Sequence, residues 1–331
     1  MEFHTVYGFN VPVDFEEIPD HPTEARERFY GRIVVPFIKQ VLKMQDVQVT
    51  AIGAEHLPAH GPALLAINHT GYYDFIAGCV PSLLRGKRLT RFMAKKEVFD
   101  IRPVGDFMNA MRHVPVDRSN GSSAIQPALD HLAKGDIVGI FPEATISRSF
   151  ELKELKTGAV RIADQAQVPL IPVIIWGAQR IVTKGLPKNL GRSHIPVLVL
   201  VGEPVDPSGD PVEATARLHA AMQELLDEAQ SLYNEYWGPF PDGENWMPAR
   251  LGGSAPTPEQ AEEIDRKARA AKQAKKDAKK QAEARRPAER INEIADKALG
   301  NMRDKGIIDR VSRLGTRILR PVSDLLARLR K

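Results

Sequence analysis

The sequence predicts an α/β fold: a central, mostly parallel or mixed sheet of about seven strands, helices on both faces, and amphipathic helices at the N- and C-terminal ends. Three observations carry this expectation. Short β-branched runs recur through the middle of the chain, and helical stretches fall between most of them. With Cys79 as the single cysteine, no internal disulfide or Cys-rich metal site can substitute for a packed core, and a reducing compartment is indicated. The 331 residues, 43% hydrophobic and 27% charged, suffice for one large α/β domain with an appendage and exclude wholesale disorder.

Residues 1–46 form an N-terminal segment. Its first thirty residues are acidic and interrupted by Pro12, Pro19 and Pro22, so no secretory signal is expected there. Arg28 to Met44 then reads as a helix. Ile33, Val34, Val35, Phe37, Ile38, Val41, Leu42 and Met44 cover a broad arc, and Arg28, Arg32, Lys39 and Lys43 share a narrow stripe. A helix apolar over more than half its circumference is either packed or dipped into lipid, and packing is the default expectation.

Residues 47–250 form the body. Strands are expected at Gln48–Ile52, Ala63–Asn68, Arg91–Ala94, His113–Val116, Ile137–Phe141, Leu170–Trp176 and Val197–Val201. Helices are expected at Tyr73–Leu84, Val98–Met111, Ser122–Lys134, Leu152–Gln167 and Val212–Tyr236. Strand–helix alternation of this kind places functional sites at strand ends. No apolar run reaches the roughly 18–20 residues that span a bilayer.

Residues 251–331 form a basic helical tail. Gly252, Gly253, Ser254, Pro256 and Pro258 mark a hinge. From Glu259 to Arg290 the only large apolar residue is Ile264, among nine alanines and eleven Lys/Arg, which suits a solvated helix or spacer. Farther on, Ile307, Ile308, Val311, Leu314, Ile318, Val322, Leu325, Leu326 and Leu329 fall within an arc of about 120° opposite five arginines. That amphipathic helix could pack on the body, bind a partner helix or lie on an anionic membrane. Nucleic acid is not expected as a partner, because the tail has no aromatic side chain to stack on bases. Residues 259–331 carry 21 basic and 12 acidic side chains, whereas residues 1–258 carry 25 and 30. The basic character therefore belongs to the tail, and basic tails seek polyanionic surfaces.

The chemistry-bearing residues follow the second body strand, in Asn68-His69-Thr70-Gly71-Tyr72-Tyr73-Asp74. On one continuous helix His69 and Asp74 would lie about 140° apart and could not meet. Gly71 breaks the run, and a strand–turn–helix path can return the carboxylate to the imidazole. A carboxylate on one ring nitrogen fixes the tautomer and raises the basicity of the other. A substrate hydroxyl could then be the nucleophile. A structural hydrogen-bonded pair is the plainer alternative. His56, His60, His113 and His131 lack metal-ligand spacing, so no metal is expected. No Gly-x-Ser-x-Gly elbow or phosphate-binding Gly-rich loop occurs.

Asn68-His69-x4-Asp74 resembles the first signature of the glycerolipid acyltransferases typified by 1-acylglycerol-3-phosphate acyltransferase. Val114-Pro-Val-Asp117-Arg118 resembles the second block, Phe141-Pro142-Glu143-Ala144-Thr145 the third, and Val168-Pro169-Leu170-Ile171-Pro172-Val173 the fourth, all in the family's order. The resemblance implies acyl transfer from acyl-CoA or acyl carrier protein to a lysophospholipid hydroxyl. It makes His69 and Asp74 the catalytic pair and assigns substrate binding to Asn68, Lys95, Arg118, Glu143, Thr145 and Arg148, with stabilisation of its own turn through backbone N–H groups as the alternative for Glu143. It requires no cofactor. The third block departs from the pattern: Ala144 replaces a glycine, and Ile146 replaces an arginine thought to hold the acceptor's phosphate. Arg148, Lys153 or Lys156 would have to substitute. Both reactants are amphiphiles, which fits a cytoplasmic protein lying peripherally on the inner face of the cell membrane. A different lysophospholipid or glycolipid acceptor, or a non-enzymatic membrane scaffold, are the alternatives.

Overall fold

The computed structural model describes residues 1–117 and 125–304, with the side chains of 284–296 and 298–304 excluded. Two compact units are present, Met1–Ala261 and Glu262–Lys331. In the second, the described backbone is one helix, which begins in the first unit and runs as Pro258–Asp304 (α9). The C-terminal amphipathic helix expected after Ile307, and Arg118 of the second block, lie outside the described residues.

The first unit is built on a mixed sheet. In chain order its strands are β1 (Phe3–Val6), β2 (Phe9–Pro12), β3 (Gln48–Ile52), β4 (Ala63–Ile67), β5 (Thr90–Lys95), β6 (Val114–Val116), β7 (Ile137–Ile140), β8 (Leu170–Trp176) and β9 (Pro196–Val201). They lie in the order β1-β2-β3-β9-β8-β4-β7-β5-β6. β8 to β6 run parallel, and β8 pairs antiparallel with β9. The body supplies the seven expected strands, and the sheet has two more. These form a β1–β2 hairpin that turns at Tyr7-Gly8, both at positive φ, as a tight two-residue hairpin turn requires.

Residues alternate between faces along β4. Leu65 and Ile67 enter one core; Leu64 and Ala66 enter the other, and all are fully buried. Helices therefore cover both faces. On the first lies α1 (Val35–Gln45), entered through a π-turn at Tyr30–Val34, together with α3 (Val80–Leu84) after the short α2 (Asp74–Ala77). On the second lie α6 (Gln126–Leu132), α7 (Gly158–Ala166) and the long α8 (Pro211–Trp237), which buries Leu218, Met222, Leu226 and Tyr233. Asp210 caps α8, accepting the backbone N–H groups of Val212 and Glu213.

Three expected helices are shorter or divided. Val98–Met111 becomes α4 (Lys96–Phe99) and α5 (Val104–Ala110), separated by Pro103. The two pack so closely that a Cβ on Gly105 would lie 1.8 Å from the Phe99 carbonyl oxygen. Tyr73–Leu84 is divided at Gly78 and Cys79, and Pro81 stands in the first turn of the second piece, where its missing N–H leaves no bond unmade. α7 starts only at Gly158, because the preceding segment is held extended by a Lys156 N–H bond to the Pro142 carbonyl, 3.0 Å.

The N-terminal segment is fastened by buried charge. Arg88, 0% exposed, donates to Glu24 and to the carbonyls of Pro58, Gly61 and Gly135. Arg91, also fully buried, grips Glu27 and the Met111 carbonyl. The π-turn and α1 are together both packed and bare: Tyr30, Val34 and Leu42 are buried, while Ile33, Phe37 and Met44 are 59–64% exposed.

Candidate active site

The strand register places the site. Ala66 of β4 faces Ile140 of β7, and Ile67 faces Val173 of β8. The segments following β4 and β7 therefore leave the sheet side by side at its parallel carboxyl edge. Asn68 continues the ladder with its side chain: its Oδ1 accepts the Ile175 N–H at 2.7 Å, and its Nδ2 donates to the Ile175 carbonyl at 3.1 Å. The backbone of β4 is thereby free to turn away from the sheet.

Gly71 makes that turn possible by close approach. A Cβ there would come within 3.0 Å of the Val182 carbonyl oxygen, which accepts the Tyr72 N–H at 2.9 Å. The turn returns Asp74, at the start of α2, to His69, with Nδ1 to Oδ2 at 2.9 Å. The same oxygen accepts the N–H groups of Thr70 and Gly71 at 2.7 and 2.8 Å. Asp74 is fully buried, and burial raises its carboxyl above the ordinary range against the opposing pull of the imidazole and the two N–H donors. With Nδ1–H donating to the carboxylate, Nε2 carries the lone pair. Phe141 stacks on the imidazole at 4.2 Å and Phe75 meets it edge-on at 6.0 Å. Three rigid partners thus fix the ring.

Glu143 lies beneath the pair. Its Oε1 accepts the His69 N–H at 2.7 Å and its Oε2 the Lys153 N–H at 3.1 Å, while the Ser147 N–H donates to the His69 carbonyl at 2.8 Å. Burial pushes the Glu143 carboxyl up to about 8, and the neighbouring Asp74 adds to the rise; the two N–H bonds and Lys153 pull it down. The third block therefore clamps the backbone of the first.

His69 forms part of the wall of a cavity of about 710 Å³. Lys95, Thr145, Ile146, Lys156, Arg161 and Lys184 line it too, and among the described residues no carboxylate does. Against it lies a second cavity of about 490 Å³. Tyr72, Phe75, Ala94 and Val98 line both. The second cavity is walled almost wholly by apolar side chains of α1, α3, α5 and β5, among them Ile38, Leu42, Leu83, Phe92 and Met108. Its two titratable wall groups beyond Tyr and Lys39 are neutral at pH 7: burial pushes His113 down to about 3 and Cys79 up to about 11.

Of the residues singled out in the sequence, His69 meets Asp74, and His69, Lys95 and Thr145 line the cavity. Asn68 and Glu143 are buried, with their polar atoms bonded to backbone. The Arg148 guanidinium stands against Gly185, where an added Cβ would lie 2.9 Å from Nη1. Arg161 and Lys184 were not singled out. Arg161 interrupts an otherwise apolar stretch, Ala159-Val160-Arg161-Ile162-Ala163, whose other members are fully or nearly fully buried. That interruption was the available signal.

A mixed sheet covered on both faces, with a carboxylate-oriented imidazole in a cleft at its parallel strand ends, defines an α/β enzyme. The acyltransferase family model matches residues 48–176, a span that holds His69, Asp74 and Glu143 and runs from β3 to the end of β8. A 1-acyl-sn-glycerol-3-phosphate acyltransferase of Bacillus subtilis is 33% identical over 198 residues, covering 58% of this chain and 90% of that protein. One from Chlamydomonas reinhardtii is 29% identical over 192 residues, covering 56% of each chain. The crystal structure of the 1-acyl-sn-glycerophosphate acyltransferase PlsC from Thermotoga maritima aligns with a TM-score of 0.47 at 22% identity, over 61% of this chain and 81% of that one. The chain belongs to the acyltransferase family and is an acyl-transferring enzyme.

Proposed function

We propose that the protein transfers a fatty acyl group from an acyl thioester, acyl-CoA or acyl carrier protein, to the free hydroxyl of a lysophosphatidic-acid-type glycerolipid in phospholipid synthesis. One observation carries the reading: an imidazole oriented by a buried carboxylate lies where a cation-lined cavity abuts an apolar one. The first suits a phosphorylated head and the second a hydrocarbon chain, at roughly 0.8 kcal/mol for each methylene buried. The names of the relatives point to the same reaction.

In this mechanism Nε2 of His69 takes the proton of the acceptor hydroxyl as its oxygen attacks the thioester carbonyl. The tetrahedral oxyanion collapses, the carbon–sulfur bond breaks, and the departing thiolate receives the proton from the imidazolium. Asp74 holds the tautomer and offsets the charge that develops on the ring, while Glu143 and Asn68 position the chain around it. General-base help of this kind is worth roughly 10²–10⁴ in rate. Lys95 and Thr145 lie where they can contact substrate.

Replacing His69 with Ala or Asp74 with Asn should lower kcat by about 10²–10⁴ while circular dichroism stays unchanged. Thiol release from an acyl thioester, measured over a panel of lysolipids, is the assay, and it also ranks donors and acceptors. Near-normal turnover in either variant, or an acyl–protein adduct on the pathway, defeats the mechanism. Ile146 favours a second reading, in which another lysophospholipid or a glycolipid accepts the acyl group; the same panel separates the two.

Peripheral attachment to an anionic membrane surface on the cytoplasmic side completes the proposal. Among the described residues no helix is long and apolar enough to cross a membrane. Ile33, Phe37 and Met44, spaced to share one helix face, are exposed, as are Ile101 and Val104.

A further inference from the structure

Ile146 occupies the place of a phosphate-holding arginine in the motif it resembles, and its side chain is 3% exposed on the cavity wall. Arg148, the nearest replacement in the sequence, points its guanidinium at Gly185, and the cavity wall does not include it. The cations that line the cavity come from four separate places: Lys95 ends β5, Lys156 precedes α7, Arg161 lies within α7, and Lys184 follows β8. Lys156 is 3.7 Å from Glu154. Arg161 differs from the others in chemistry and setting. It is exposed, it is the single guanidinium on that wall among the described residues, and it makes no ion pair or side-chain hydrogen bond with any of them. A guanidinium offers a planar fork that an ammonium lacks, and it matches a phosphate monoester with two parallel N–H bonds.

We propose that Arg161, with Lys184 on the same wall, binds the acceptor's phosphate in place of the arginine that Ile146 has displaced. This rests on the reading that a lysophosphatidate-type lipid is the acceptor, and it names the specificity-determining residue for that lipid. The phosphate anchor moves from the loop of the third block to a helix. A rigid element then sets the distance between the phosphate and the hydroxyl that faces His69. Phosphate recognition and the loss of the motif arginine are thereby compatible.

The test is the ratio of kcat/KM for 1-oleoyl-lysophosphatidate to that for 1-monooleoylglycerol, in the full chain and in R161Q, R161K and R148Q. R161Q should lower the ratio roughly 10–100-fold, the range expected for a lost hydrogen bond to a charged group. R161K should retain charge but fall between the two, because it loses the fork. Arg161 is exposed, so thermal unfolding of R161Q should match the wild type and rule out misfolding as the cause. A ratio unaltered in R161Q overturns the proposal, as does a collapse in R148Q with R161Q unaffected. Wild-type protein that acylates other lysolipids but not lysophosphatidate defeats the functional reading and this assignment together. Wild-type turnover of lysophosphatidate with an indifferent R161Q defeats the assignment alone.

Discussion

At the scale of single residues, the site is a set of backbone groups held by buried carboxylates. Asp74 accepts two N–H groups besides the imidazole, and Glu143 accepts two more, one of them the N–H of His69 itself. Burial dominates Glu143, whose carboxyl is raised from 4.5 to about 8. A group with a raised folded pKa binds its proton more tightly in the folded than in the unfolded state. Its contribution is fully present below about pH 4.5 and is lost as pH climbs towards about 8. Glu143→Gln removes the titration and leaves the shape. The gap between the Tm of the variant and that of the wild type should therefore shift in favour of the variant between pH 5 and pH 8.5. Each kcal/mol should appear as about 2–4 °C in a body of this size. Parallel Tm profiles would mean that the two N–H bonds keep Glu143 ionised throughout. The sequence made the His69–Asp74 pair legible, because Gly71 breaks the run between them. It allowed Glu143 to hold backbone N–H groups of its own turn but not to clamp His69, since that depends on β4 and β7 being neighbours, 74 residues apart in sequence.

Among the elements, the strands were easier to read than the helices or the N-terminal segment. β3 and β8 have the bounds their β-branched runs indicate, because buried strands of a parallel sheet are apolar on both faces and end where polar or turn residues begin. The sequence predicts one helix across α4 and α5 because the apolar periodicity continues across Pro103, while the close packing at Gly105 is a tertiary effect. The β1–β2 hairpin was obscured by the prolines and acidic residues around it, although Phe9 and Val11 alternate with Asn10 as a half-buried strand should. Glu24 and Glu27 belong to a segment that the sequence shows only as acidic, yet they hold two fully buried arginines. Removing one partner of a buried pair leaves the other charge uncompensated, typically at about 3–5 kcal/mol. Glu24→Ala should accordingly destabilise the protein by about 3–5 kcal/mol in denaturant unfolding, while the double variant Glu24→Ala, Arg88→Met recovers part of that loss. A cost below about 1 kcal/mol for the single variant would mean that the three backbone carbonyls on Arg88 suffice to hold it.

On the scale of the whole molecule, charge and chemistry are divided between two parts of the chain. Residues 1–258 hold the cavities and carry more acidic than basic side chains, 30 against 25, whereas residues 259–331 carry 21 basic against 12 acidic. An acidic body is repelled by an anionic bilayer, so in the proposed attachment its exposed apolar side chains, Ile33 and Phe37 among them, would act at short range. A basic tail would act differently: basic residues near an anionic surface contribute about 1 kcal/mol each, over a distance set by the Debye length of about 8–10 Å. The two contributions should respond differently to salt. Deleting residues 259–331 should weaken co-sedimentation with vesicles containing phosphatidylglycerol at low ionic strength, and the difference should narrow as salt is raised. Phe37→Ser in the full chain should weaken binding at every salt concentration, because apolar insertion is not screened. Neither change touches His69, so turnover of a detergent-dispersed acceptor should persist in the truncated protein. Co-sedimentation of the truncated chain equal to that of the full chain at low salt would remove the tail from membrane attachment and leave the α1 face as the contact with lipid.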